Sequence, residues 1–186
     1  MNQTLKAGIL LATLAIPVFI WLFLKNFGQN QFELPVYYED NLPTITGCDD
    51  QETPHKVAFF AGQTSESTGS GTLSSNKVSV TYLLPEVCEN ECQLVMEQLA
   101  NLQTTFSDIP DFQIVVVASQ KYYDSDQISS YKNRYLANPQ IWKFVLLNAD
   151  RYDQLYRCEF FLTKNELSQA LVLTDNTGSI RGYYAG

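Results

Sequence analysis

The stretch VSVTYLLPEVCENECQLVMEQLANLQTTF, residues 78–106, changes its apolar period once. Val78, Val80, Tyr82 and Leu84 alternate with smaller or polar neighbours, which is the period of a strand, and Pro85 ends it. Further on, Val95, Leu99, Leu102 and Phe106 step by four, three and four, so they share one face of a helix that Ser107 to Pro110 closes. Cys88 and Cys92 fall between these elements, at or just before a helix N-terminus. Exposed N–H groups and the positive end of the helix dipole stabilise thiolate there, the species that attacks disulfides and binds soft metal ions. An i, i+4 pair on a first turn can aim two sulfurs at one ion or close a disulfide. Both chemistries are open, as is a purely structural pairing, because CxxxC alone does not choose among them.

Outward from this stretch, Ile114 to Ala118 is a continuous, mostly β-branched run, as expected of a strand buried on both faces. A second helix is predicted over 126–136, and Trp142 to Leu147 supplies another apolar segment. Leu171 to Leu173 reads as a late strand, and Asp175-Asn176-Thr177-Gly178 as a turn into Ile180 to Tyr184. Upstream, Val57 to Phe60 reads as a short strand and Gly62 to Ser75 as a hairpin or long loop. The order strand, helix, strand, helix, hairpin is a thioredoxin-like α/β arrangement: a central mixed sheet flanked by helices.

Ala7 to Leu24 contains no charged residue and is bracketed by Lys6 and Lys25. About 18 residues at 1.5 Å each cover roughly 27 Å, just enough to span a bilayer. No small-x-small cleavage site follows Leu24, so a retained single transmembrane anchor is expected over 1–28. Residues 29–54 read as stalk and irregular lead-in, and 55–186 as the folded domain. Asp and Glu number 20 against 12 Lys and Arg, a balance that repels a phosphate backbone and argues against a nucleic-acid partner.

The part after the anchor resembles the SCO/SenC family of membrane-tethered, thioredoxin-like copper proteins that assist cytochrome c oxidase assembly. The resemblance is carried by Cys88 and Cys92 after a strand, by Trp142-Lys143-Phe144, by Leu173-Thr174-Asp175 and by Gly178-Ser179-Ile180-Arg181-Gly182-Tyr183-Tyr184, in that order. It implies a copper chaperone or assembly factor with Cys88 and Cys92 as thiolate ligands. It also implies an inner-membrane location with the domain on the periplasmic side, and as partner the copper subunit of cytochrome c oxidase or another thiol protein. The alternatives are an extracytoplasmic thiol-disulfide oxidoreductase using the same two thiols, and a non-catalytic scaffold.

The departures predict a degenerate copper site. Glu89 and Gln93 stand where family members carry prolines, and Gln120-Lys121-Tyr122 replaces an aspartate-proline segment. The family's copper-binding histidine lies in an Asp-His-Ser segment that matches Glu166-Leu167-Ser168, so Leu167 occupies the third-ligand position. Two thiolates can hold Cu(I) linearly, whereas Cu(II) prefers added nitrogen or oxygen ligands; loss of Cu(II) binding is expected. His55, the only histidine, is expected to be an ordinary exposed residue. Cys48 and Cys158 bring the cysteine count to four, which permits three pairings in an oxidising compartment. The sequence stops at Gly186, where the resembled family usually continues through a final helix.

Overall fold

The computed structural model describes residues 3–27, 34–48, 52–57, 61–62, 71–72 and 76–186. They belong to two compact units, Met1–Leu34 and Pro35–Gly186.

The first unit holds α1 (Gln3–Phe27), 25 residues with Pro17 inside. Its side chains from Leu11 to Lys25 are exposed around the whole circumference. Within the described residues no helix is long and apolar enough to cross a membrane.

In the second unit, β1 (Ala61–Gly62) and β2 (Gly71–Thr72) form a small antiparallel pair inside the expected hairpin region. Of the strand expected over 57–60, Val57 is irregular chain, and residues 58–60 lie outside the described residues. The main sheet follows: β3 (Val78–Leu83), α2 (Asn90–Thr105), β4 (Phe112–Ser119), α3 (Ser125–Arg134), β5 (Trp142–Leu147), α4 (Ala149–Gln154), β6 (Ala170–Thr174) and β7 (Ile180–Ala185). The strand order is β5-β4-β3-β6-β7, with β3, β4 and β5 parallel and β6 and β7 antiparallel. This is the thioredoxin-like mixed sheet that the sequence predicts.

All eight residues of β4 are buried, which explains why its sequence reads as a run instead of an alternation. Ile114, Val116 and Ala118 join a core with Tyr82, Leu84 and the inner face of α2, while Val115 and Val117 join a second core on the other face. That second face is covered by α4 and a π-helical turn, Leu155–Glu159, an element absent from the sequence reading. α3 begins with a capping box in which the Gln127 N–H donates to Asp124 Oδ1 (2.8 Å) and the Asp124 N–H to Gln127 Oε1 (2.9 Å).

The irregular lead-in belongs to the domain from Pro35 onward, so the domain starts earlier than the His55 boundary read from sequence. The Tyr37 N–H donates to Ile180 O (2.9 Å) and the His55 N–H to Tyr38 O (3.0 Å). Cys48 and Cys158 are joined, with Cα atoms 5.4 Å apart across 110 residues of sequence. Of the three pairings that sequence left open, the protein forms Cys48–Cys158 and Cys88–Cys92.

The lead-in also meets the β6–β7 turn. Gly178 has φ +88°, and a Cβ there would sit 2.8 Å from the Val57 carbonyl oxygen, while its own carbonyl accepts from the Val57 N–H at 2.9 Å. Gly178→Ala combines a left-handed penalty with a backbone clash and is expected to cost about 2 kcal/mol. Thermal unfolding should show this as a drop in Tm of roughly 4–8 °C.

Candidate functional site

Cys88 and Cys92 are bridged, with Cα atoms 5.1 Å apart. Glu89 is the N-cap of α2 and offers no side-chain cap, so Cys92 lies in the first turn and Cys88 just outside it. Cys92 is 1% exposed; Cys88 is half-buried and packs against the same core. The helix terminus thus carries one fully sheltered cysteine and one half-buried cysteine.

Four side chains from three segments of the chain hold the loop between β3 and α2. The Tyr152 hydroxyl donates to Leu84 O (2.6 Å) and the Tyr123 hydroxyl to Pro85 O (2.7 Å). The Tyr122 hydroxyl donates to Glu86 Oε1 (2.8 Å), and Lys164 Nζ reaches the same oxygen at 3.4 Å. The Tyr122 hydrogen bond is the main cause that holds the Glu86 carboxyl below the usual range. Burial pushes the Tyr152 and Tyr123 hydroxyls up, so both stay protonated donors. The segment 120–122, noted in the sequence only as a departure, therefore leads into two residues that support the cysteine loop. Eleven tyrosines in the composition were the available signal, but their positions gave no hint of this cradle.

The structure does not bring Leu167 to the thiols. Leu167 is buried with Leu83, Leu155 and Val172 on the face opposite Cys92. Its neighbours do approach α2: the Glu91 carboxyl is held below the usual range by hydrogen bonding first to Gln169 and then to Ser168. Glu166 is engaged locally, its Oε2 accepting from the Thr163 N–H and hydroxyl at 2.7 Å each. His55 is 5% exposed, not the exposed residue expected. Its Nε2 lies 2.8 Å from Glu159 O and its ring packs 4.6 Å from Phe161, so a buried contact with the π-helical turn accounts for it.

Two segments of the sequence resemblance have structural roles. Trp142 is buried and stacks on Phe144 at 5.6 Å. Asp175 ties the last turn together, its Oδ1 accepting from the Thr177 and Ser179 N–H groups and its Oδ2 pairing with Arg181 at 2.7 Å.

Among the described residues, no group of three or more His, Cys, Asp and Glu side chains could hold a metal ion. Cys88 and Cys92 offer two sulfurs at this end of the sheet. Reduced, they suit Cu(I), which two thiolates can bind linearly; they do not supply the nitrogen or oxygen donors that Cu(II) prefers.

The fold is shared with proteins of solved structure. It matches a SCO1/SenC family lipoprotein from Bacillus anthracis with a TM-score of 0.59 at 13% identity, covering 70% of this chain and 84% of that one. It matches BsSco, a Sco-family cytochrome c oxidase assembly protein described with a disulfide switch, at TM-score 0.56 and 16% identity, covering 70% and 83%. It also matches the thioredoxin domain of a thiol-disulfide oxidoreductase from Bacteroides vulgatus at 0.54 and 18%, covering 70% and 87%. No protein-family model and no curated protein sequence matches the chain. These likenesses define the fold as thioredoxin-like, a mixed sheet flanked by helices.

Proposed function

We propose that the chain is a membrane-anchored SCO/SenC-type thiol protein whose Cys88–Cys92 pair alternates between disulfide and dithiol. The dithiol takes Cu(I) as cargo for an extracytoplasmic acceptor such as the copper subunit of cytochrome c oxidase. The observation that carries this reading is a bridged i, i+4 pair at the start of α2, directly after β3, in a loop held by three tyrosines. Oxidation of the two thiols gives one disulfide, two protons and two electrons, so loss of the copper ligands is coupled to the redox state.

One observation favours disulfide exchange with a protein partner as a second reading. With Cys92 sheltered and Cys88 half-buried, a partner thiolate would attack Cys88 Sγ and form a mixed disulfide. Cys92 then leaves as a thiolate stabilised by the N-terminus of α2. Equilibration in glutathione buffers, followed by alkylation and mass spectrometry, tests both readings. The Cys88–Cys92 bond should open and close reversibly in the folded protein. A pair that reduces only on unfolding would contradict them and leave a scaffold role.

In this proposal α1 is the anchor. Its exposed apolar circumference has no use in water, and Lys25 Nζ lies 5.1 Å from the Trp21 ring centre, a pairing suited to a membrane interface. The domain would face the periplasm. Protease added to spheroplasts should digest it, and protection until lysis would contradict that orientation.

A further inference from the structure

We infer that Met96 is a third, thioether ligand for the Cu(I) taken by the reduced Cys88–Cys92 pair, an inference that rests on the copper-carrying reading above. The chain has only two methionines, Met1 and Met96. Met96 lies one helical turn after Cys92, and both are buried residues of α2, at 0% and 1% exposure. They share a core cluster, and Cys88 packs against that cluster. Cys92 and Met96, four residues apart, thus lie on one face of α2, with Cys88 just before its N-cap. Helical side chains incline toward the helix N-terminus, so a long thioether on Met96 leans back over the turn that carries Cys92.

The chemistry suits the place. A thioether is a soft donor with no proton to lose and no charge to bury, whereas a carboxylate or a second cation in this apolar core would be costly. Binding releases one proton from each thiol, leaves copper at +1 and adds a neutral sulfur to two thiolates. No histidine, aspartate or glutamate among the described residues completes the donor set, and Leu167 faces the other core. Core packing alone would also accept methionine at this position, so the test must separate packing from ligation.

Leucine is close to methionine in volume, and Met96→Leu should fold as the wild type does. The probe is Cu(I) alone, titrated against a chromophoric chelator into the reduced full-length chain in detergent. Met96→Leu is expected to weaken binding about 10- to 100-fold, the loss typical even for groups one step removed from a metal. Selenomethionine-labelled protein should show copper as a neighbour at the selenium absorption edge, and Met96→Leu, which retains Met1, should lose that signal. Unchanged affinity in Met96→Leu together with no copper at the selenium edge would overturn the inference. Retention of Cu(I) by a Cys88→Ser, Cys92→Ser variant would instead overturn the copper-carrying reading itself.

Discussion

Cys88→Ser in the full-length chain is expected to abolish Cu(I) binding while leaving the domain folded. Serine has the same shape as cysteine, but its hydroxyl is a hard donor that stays protonated near neutral pH, so one thiolate is left where linear Cu(I) coordination takes two. The fold should survive because the lost disulfide spans only four residues. Loop-closure arithmetic assigns such a short bridge roughly 2 kcal/mol. The cradle around the loop is also independent of the sulfurs: Tyr152 and Tyr123 bond to carbonyl oxygens of Leu84 and Pro85, and Tyr122 to Glu86. Circular dichroism would confirm folding, and chelator competition would measure copper. A Cys88→Ser variant that binds Cu(I) as the wild type does would exclude this sulfur as a ligand.

Leu167→His is expected to destabilise the domain by about 2–4 kcal/mol and to create no Cu(II) site. Read from sequence alone, the match to Asp-His-Ser predicts that an imidazole here would join the two thiolates. The structure gives the opposite expectation, because Leu167 is 5% exposed in the core that faces away from Cys92. The substitution removes apolar burial and places two ring nitrogens among Leu83, Leu155 and Val172. Chemical denaturation would measure the loss. A thiolate-to-copper charge-transfer band in the variant, absent from the wild type, would show that the segment turns its side chain toward the thiols.

The difference between the two expectations for Leu167 marks where sequence reading ran out. Apolar period located β3 and α2, a continuous apolar run located β4, and the turn at Asp175 to Gly178 located the β6–β7 hairpin. The thiol pair was legible for the same reason, since a strand ending at Pro85 and a helix face starting at Val95 leave Cys88 and Cys92 at the junction. Residue direction in the segment 163–169 was not legible. It carries no regular period, and an ungapped match fixes position in sequence but not which core a side chain enters. Likewise, α4 and the π-helical turn are short and carry too few apolar positions to set a period, although Tyr152, Tyr156 and Cys158 within them are buried and Cys48 is bonded there. His55 looked exposed because it precedes the first apolar run; its partners, Glu159 and Phe161, are about a hundred residues away.

The most direct test of the account is copper stoichiometry in the two redox states of the wild-type chain. Cu(I) would be titrated under anaerobic conditions into protein with Cys88 and Cys92 reduced and, separately, bridged. The account predicts one Cu(I) bound by the dithiol form and none by the disulfide form. Equal binding by both forms would place the metal elsewhere, and binding by neither would contradict the copper role of the Cys88–Cys92 pair.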